Sequence, residues 1–198
     1  MGKLTAFTFV TLDGVMQGPA SPEEDPRDGF EHGGWQQQYF DEVLGGIAAE
    51  GMAEENALLF GRRTYEDFYG YWPTAPQPNL FTDFLSRADK YVASRTLEEP
   101  LPWENSTLLK GDAGQAVADL KAGLDKDIAV MGSGDLIQTL RRHDLIDDYT
   151  VLIHPIVLGS GRRLFEHGVA PAKLHLVDTK TSTTGVIVAH YVRAEGTG

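Results

Sequence analysis

Glycine, arginine and hydroxyl side chains are concentrated in three short segments, each of which directly follows a run of apolar residues. The segments are Gly61-Arg62-Arg63-Thr64, Ser94-Arg95-Thr96 and Gly132-Ser133-Gly134. Glycine allows a ligand to approach the backbone, and the guanidinium fork of arginine binds phosphate through paired hydrogen bonds without losing its charge. Any one segment is ordinary turn chemistry. Three of them at successive strand ends predict a site for a phosphorylated ligand.

The third segment narrows the type of phosphate site. Met131-Gly132-Ser133-Gly134-Asp135-Leu136 is not a full G-x-G-x-x-G fingerprint, and a Rossmann-type dinucleotide fold is therefore not indicated. Asp135 is an acid beside this turn. It either caps the helix that follows or weakens the binding of an anion there.

A second set of candidates follows the first strand-like segment. Asp13-Gly14 ends that segment, and the stretch from Gln17 to Gly34 contains three prolines and four glycines. A loop of this length is often functional. Asp13 is either a turn residue or takes part in the chemistry. Arg162-Arg163 either face solvent or serve a phosphorylated substrate.

The composition excludes several classes of function. The 198 residues include 17 basic and 29 acidic ones, for a net charge of -12, which argues against a protein that binds nucleic acid. The absence of cysteine excludes disulfides, thiolate zinc sites and cysteine nucleophiles, and the six histidines show no metal-ligand spacing. No apolar run approaches the roughly 20 residues that span a bilayer, and the first residues lack a signal-peptide pattern. We therefore expect no membrane partner and a cytoplasmic location.

Strand-like and helix-like segments alternate along most of the chain, which is typical of an α/β fold. Strands are predicted at Lys3–Leu12, Ala57–Phe60, Lys90–Ala93, Thr107–Leu109, Asp127–Met131, Tyr149–Leu158, Lys173–Asp178 and Val186–Arg193. Helices are predicted around residues 39–52, from Thr64 to Pro73, at Leu80–Leu85, at Ala113–Leu124 and from Leu136 onward. The last two strands are joined by a hairpin, so we expect a mostly parallel mixed sheet of about eight strands with an antiparallel C-terminal edge.

The order of these segments resembles the dihydrofolate-reductase-like proteins, and in particular the C-terminal reductase domain of the bifunctional riboflavin-biosynthesis deaminase/reductase and its stand-alone relatives. The matching pieces are Thr11–Gly14, Leu58–Glu66, Tyr91–Thr96, Met131–Gly134 and His154–Gly161. The resemblance implies a three-layer α/β fold, with residues 1–198 as a single domain. The deaminase half has no counterpart, because the chain is too short for it and lacks the cysteines of its zinc site.

The resemblance also implies that the phosphorylated ligand is NADPH. The first turn would contact the adenosine and pyrophosphate phosphates, the second would hold the ribose 2′-phosphate, and the third would face the pyrophosphate. The implied cofactor-binding candidates are Gly61, Arg62, Arg63, Thr64, Ser94, Arg95, Thr96, Gly132, Ser133, Gly134 and Leu136. On the substrate side the candidates are Asp13, Gly14 and Met16, with Asp13 as the candidate catalytic residue, and no metal is implied.

One residue position disfavours a folate substrate. Dihydrofolate reductases keep the acid that contacts the pterin on the helix after the long loop. Asp41 and Glu42 lie in this region, but neither aligns clearly with that position.

These observations leave several functions open. The leading interpretation is an NADPH-dependent reductase that transfers a hydride to a small pyrimidine- or pterin-like heterocycle. The alternative within the enzyme class is 5-amino-6-(5-phosphoribosylamino)uracil reductase of riboflavin biosynthesis, whose substrate phosphate would need an extra basic pocket. The alternative from another class is a catalytically silent NADPH-binding protein that acts in regulation or assembly. The C-terminal strands could also pair across a two-fold axis, which predicts a homodimer.

Overall fold

The computed structural model describes residues 2–54, 56–166 and 170–194, and these contain eight strands and five α-helices. The strands are β1 (Leu4–Thr11), β2 (Ala57–Gly61), β3 (Lys90–Ala93), β4 (Ser106–Leu109), β5 (Ile128–Val130), β6 (Asp148–His154), β7 (Leu174–Thr181) and β8 (Ile187–Arg193). The α-helices are α1 (Glu42–Ala53), α2 (Arg62–Tyr71), α3 (Leu80–Arg87), α4 (Ala113–Gly123) and α5 (Gly134–Arg142). None of the helices in the described part of the chain is long and apolar enough to cross a membrane.

All eight strands form one sheet in the order β4-β3-β2-β5-β1-β6-β8-β7. Strands β1 to β6 are parallel to one another wherever they pair, whereas β8 is antiparallel to both β6 and β7. The predicted fold class, a mostly parallel mixed sheet with an antiparallel C-terminal hairpin, is therefore confirmed.

Helices cover both faces of the sheet, which gives the expected three layers. In β1, Leu4, Ala6 and Val10 are buried against α4 and α5, because alternate residues of a strand point to the same face. Phe7 and Phe9 point to the other face and pack beside α1. Each buried aliphatic or aromatic side chain contributes roughly 1.5–3 kcal/mol, so this alternation fixes the register of the central strand.

Several element bounds differ from the predictions, for local physical reasons. Strand β6 ends at His154 and not at Leu158, because Pro155 has no N–H and Ile156 N donates to His154 O over 2.8 Å in a tight turn. Helix α1 begins after Asp41, whose carboxylate accepts from Leu44 N, so the apolar row that includes Phe40 starts outside the helix and leaves that ring 70 % exposed. Strand β7 extends to Thr181, because an exposed edge strand has little hydrophobic pattern to mark its end.

The parallel strands bring their carboxyl ends to one edge of the sheet. Along that edge, the segments after β4, β3, β2, β5, β1 and β6 follow one another in that order. We call this series of segments the strand-end row. Ligands of open α/β sheets bind at such an edge, because helix starts and free N–H groups are gathered there.

Candidate functional site

The strand-end row places the three predicted phosphate turns and the Asp13 segment side by side. Gly61 of β2 lies opposite Ala93 of β3, so the second turn, which begins at Ser94, is next to the first. On the other side, Gly61 N donates to Gly132 O over 2.9 Å. The segment after β1 follows, because β5 pairs with both β2 and β1.

The first and third turns are in direct contact through their glycines. A Cβ atom on Gly61 would lie 2.6 Å from Ser133 Oγ, and one on Gly132 would lie 3.1 Å from Thr64 Oγ1. Gly132 also has a φ of 122°, which side chains other than glycine rarely adopt. Both glycines are thus required for the two turns to approach this closely.

Helices α2 and α5 begin at these two turns with no side chain bonded to their first N–H groups. Gly61 and Ser133 occupy the N-cap positions, and neither offers a side-chain acceptor to its helix. Asp135 lies inside the first turn of α5, so the alternative that it caps this helix is wrong. Thr64 likewise lies inside the first turn of α2. By contrast, α4 begins at the same edge with its N-terminus closed by Asp112, which accepts from Gln115 N over 2.9 Å. The open N-termini of α2 and α5 have the partial positive charge that attracts anions.

Three basic residues near the first two turns have no carboxylate within ion-pair distance in the described part of the chain. They are Arg63, Arg95 and Lys110, which follow β2, β3 and β4 respectively, whereas Arg62 pairs with Glu66 over 2.9 Å. Lys110 was not identified in the sequence analysis because it belongs to no motif. Lys110 directly follows β4, one residue beyond the strand pair Ala93 and Leu109. A basic residue directly after a strand was the signal that could have identified it.

The second turn is held by its own serine. Ser94 Oγ accepts from Thr96 N and from Leu97 N, each over 3.1 Å, and Ser94 itself is buried. Arg95, between the bonded residues, is exposed. The hydroxyl therefore shapes the turn, and Arg95 and Thr96 are exposed, with Arg95 as the charged residue of the turn.

Asp13 ties the end of β1 to the segment that follows β6. Its carboxylate accepts from Thr11 Oγ1 over 2.6 Å, from Leu158 N over 3.2 Å and from Gly159 N over 2.9 Å. Burial raises the pKa of this carboxyl, but these hydrogen bonds outweigh it and lower the pKa to about 2. Arg163 lies 3.5 Å from the same carboxylate. Asp13 is thus ionised at neutral pH with its oxygens engaged, and its catalytic role stays a prediction.

The long loop after β1 folds against the third turn. A Cβ atom on Gly134 would lie 3.0 Å from Met16 Sδ, so Met16 covers the start of α5. Buried Gln17 organises the loop: its amide nitrogen donates to Asp25 O and Arg27 O, over 3.1 and 3.0 Å. Gly14 leaves the site open, with no atom near its absent Cβ. The sequence analysis missed Gln17, which resembles any loop glutamine.

Ion pairs connect this loop to α5 and to the segment after β6. Arg162 lies 3.3 Å from Asp28 and 3.1 Å from Asp135, and Arg27 pairs with Asp25 and lies 3.8 Å from Asp135. Burial raises the pKa of Asp25, but the Arg27 guanidinium outweighs it and brings the pKa below its ordinary value. Asp135 is therefore the acid on which both arginines converge at the start of α5.

The remaining acid and histidine candidates have structural partners. Asp41 caps α1 and also accepts from Thr183 N and Oγ1, each over 2.7 Å, and these bonds lower its pKa. His154 is buried against Trp35 and Tyr39, and burial lowers its pKa. Its Nδ1 carries the proton, because it lies 3.0 Å from Leu152 O and carbonyls only accept. Among the described residues, no group of acids and histidines could hold a metal ion.

Comparison with known proteins agrees with this architecture. The uncharacterized protein YyaP of Bacillus subtilis (strain 168) is 28 % identical over 190 residues, which cover 92 % of this chain and 90 % of that protein. A pyrimidine reductase-like protein of Corynebacterium diphtheriae has the same fold, with a TM-score of 0.66 at 12 % identity over 98 % of this chain and 93 % of that one. Dihydrofolate reductase of Enterococcus faecalis, complexed with NADP(H), superposes with a TM-score of 0.62 at 13 % identity over 98 % of each chain.

The protein-family model named RibD C-terminal domain matches residues 2–188, which is nearly the whole chain. The resemblance drawn from the turns at Gly61, Ser94 and Gly132 is thereby confirmed. The protein belongs to the RibD C-terminal domain family.

Proposed function

We propose that this protein is an NADPH-dependent reductase that transfers a hydride to a small pyrimidine- or pterin-like heterocycle. The observation that carries the proposal is the pair of open helix N-termini, α2 and α5, in contact through Gly61 and Gly132. Two adjacent N-termini form one site for a pyrophosphate, since each supplies N–H donors and partial positive charge. Membership in the RibD C-terminal domain family supports the reductase activity.

The residues along the strand-end row fit the parts of NADPH. The pyrophosphate would be held by the first N–H groups of α2, from Arg62 to Thr64, by the Thr64 hydroxyl and by the backbone N–H groups of Gly132 to Gly134. Gly61 N is already bonded to Gly132 O, so Gly61 contributes by bringing the two turns together. Arg63, Arg95 and Lys110 would hold the 2′-phosphate, because their charges have no carboxylate partner in the described part of the chain. NADPH supplies the hydride when bound; the chain binds it, orients it and keeps water away.

The loop that carries Met16 would complete the site on the nicotinamide side. Met16 contacts the absent Cβ position of Gly134, so its thioether already lies over the α5 start. Asp13 supports this arrangement by fixing Leu158 and Gly159 against the end of β1. With a pKa of about 2, it would act by position and charge at neutral pH and would not donate a proton.

Cofactor binding is tested by thermal unfolding in the presence of NADPH. A ligand that binds only the folded state raises the melting temperature in proportion to the logarithm of its concentration. No stabilisation at millimolar NADPH would refute the proposal. Oxidation of NADPH is then followed with a panel of pyrimidines and pterins. Binding without oxidation of any of them would favour the alternative of a silent NADPH-binding protein.

The 2′-phosphate contact is tested with Arg95→Ala. Removing a charge-assisted hydrogen bond costs roughly 1.5–3 kcal/mol, so NADPH should bind much more weakly while NADH is little affected. Arg87→Ala is the matched control, because Arg87 ends α3 at the opposite edge of the sheet. Equal losses for NADPH and NADH would show that Arg95 does not contact the 2′-phosphate.

Family membership supports a second candidate function, which is the reduction of 5-amino-6-(5-phosphoribosylamino)uracil in riboflavin biosynthesis. Expression of the gene in a strain that lacks that reductase separates the two candidates. Growth without riboflavin would favour the second one, and failure to grow, with the protein folded and present, would favour another heterocycle.

We also propose that residues 1–198 form one domain and that two copies form a homodimer. One sheet through the described residues supports the first proposal. Exposed apolar side chains on the C-terminal hairpin support the second: Leu176, Val177 and Ile187 are 53 %, 57 % and 42 % exposed. Light scattering tests the dimer, and a mass near 21.7 kDa would contradict it.

A further inference from the structure

The two ends of the strand-end row differ in the state of their basic residues. After β2, β3 and β4, Arg63, Arg95 and Lys110 contact no carboxylate of the described chain. In the part of the strand-end row after β1, β5 and β6, every described arginine is already bound to a carboxylate. An incoming phosphate would therefore meet unpaired cations at the first end and engaged cations at the second.

The arginines at the second end are Arg27, Arg162 and Arg163. Arg27 is bound to Asp25, and Arg163 to Asp13, whose backbone oxygen also accepts from its Nε over 2.9 Å. Arg162 is shared by two carboxylates.

Acids outnumber bases around these arginines. The carboxylates are those of Asp13, Asp25, Asp28, Asp135 and Glu166. Asp25, Asp135 and Glu166 line one small cavity together with Met16 and the three arginines, and Asp13 and Asp28 pair with the arginines from outside it. A phosphate dianion that enters must either take an arginine from its partner or lie beside uncompensated carboxylates. Both possibilities disfavour binding, because like charges in a partly desolvated site repel strongly.

No other lysine or arginine of the described residues lies close enough to bind a phosphate at this end. The other described lysines and arginines that contact no carboxylate lie at the amino edge of the sheet: Arg87 before β3, Lys90 at the start of β3, Arg141 and Arg142 at the end of α5, and Lys173 before β7. Lys90 is also buried and donates to Leu85 O and Ala88 O. Apart from the α5 N-terminus, which is assigned to the cofactor pyrophosphate, the phosphate-binding capacity of the strand-end row thus lies in the segments after β2, β3 and β4.

We infer that the substrate is an uncharged heterocycle without a phosphate group. The inference rests on the proposed function and narrows it, since the reductase named for the family's riboflavin branch would act on a phosphoribosyl compound. The sheet face beside this end of the row carries partly buried aromatic side chains next to α1, among them Phe7, Phe9 and Tyr39, and burial of a phosphate against them would be unfavourable.

The test compares two ligands that differ only in the phosphate. Stabilisation by NADPH is measured first, so that failure of the proposed function is recognised separately. The protein saturated with NADP⁺ is then titrated with 5-amino-6-(ribosylamino)uracil and with its 5′-phosphate, and binding is followed by thermal shift. We expect the unphosphorylated compound to bind at least about tenfold more tightly. Equal or tighter binding of the phosphate, or binding of neither compound, overturns the inference.

A charge variant tests the cause. Asp28→Asn removes one partner of Arg162 and should shift the affinity ratio severalfold toward the phosphorylated compound. Asp144→Asn is the matched control, because Asp144 pairs with Arg193 over 3.4 Å at the amino edge and should leave the ratio unchanged. An unchanged ratio in Asp28→Asn, with its folding verified by the same melting curve, would contradict the electrostatic explanation.

Discussion

The contact between the first and third turns predicts a strong coupling between Gly61 and Ser133. A Cβ atom on Gly61 would lie 2.6 Å from Ser133 Oγ and 3.3 Å from both Cβ and N of Ser133. The backbone of Gly61 has φ −77° and ψ 158°, which alanine adopts without strain, so the cost of Gly61→Ala is steric. Overpacking of this kind costs about 1–3 kcal/mol, and alanine returns about 0.4–1 kcal/mol through the unfolded state.

We therefore expect Gly61→Ala to lower the free energy of unfolding by about 1–2 kcal/mol and to weaken NADPH binding. In a Ser133→Gly background, the contacts with Oγ and Cβ are absent and only the backbone contact remains. The same substitution should then cost much less. Denaturant unfolding of the four proteins gives the coupling energy, and NADPH titration gives its effect on the cofactor site.

Gly70→Ala is the control for this cycle. Gly70 lies in the same helix, α2, and no atom lies within 4 Å of its absent Cβ. It should be neutral or stabilising, because alanine has the higher helix propensity. If Gly61→Ala were equally costly with and without the Ser133 side chain, the two turns would not be in contact and the proposed pyrophosphate site would lose its basis.

Three further outcomes are expected. Lys110→Ala should weaken NADPH roughly fivefold and leave NADH unchanged, with Lys173→Ala as an inert control; equal effects on both cofactors would remove Lys110 from the 2′-phosphate site. Asp13→Asn should lower the free energy of unfolding by about 2 kcal/mol at neutral pH, because the pKa of the Asp13 carboxyl in the folded protein lies below its ordinary value. This contribution to stability is present above about pH 4 and is lost as the pH falls toward 2. The acid unfolding curves of mutant and wild type should therefore converge toward pH 2. Asp135→Asn should tighten NADPH binding a few-fold at low salt, with less effect at high salt; weaker binding would mean that Asp135 is needed to position the arginines.

The parts of this structure that sequence analysis could predict have local causes. Period-2 alternation places Leu4 and Val10 on one face of β1, and glycine with arginine after an apolar run marks the start of α2. These signals need no knowledge of distant residues. The order of the strands was not predicted, since no local pattern states which strands pair; the resemblance implied only the fold class.

The parts that were missed or wrong depend on contacts between distant segments. Asp135 was a candidate helix cap, but the backbone is extended at Ser133 and helical from Gly134 on, so Ser133 is the N-cap residue. The Asp135 carboxylate pairs instead with Arg162 and Arg27, which come from distant segments. Gln17 becomes the organiser of the loop only because Asp25 O, Arg27 O and Arg162 N lie around it. Cytoplasmic location stays a prediction.

The helix starts show how stability and binding are divided at this edge of the sheet. A side-chain cap contributes about 0.5–2 kcal/mol, and the chain has one at α1, α3 and α4 through Asp41, Asn79 and Asp112. It has none at α2 and α5, where Gly61 and Ser133 leave the first N–H groups without a side-chain acceptor. A carboxylate there would stabilise the helix and repel a pyrophosphate. Because α4 starts at the same edge and is capped, position alone does not explain the difference, whereas the proposed binding of a pyrophosphate at α2 and α5 would explain it.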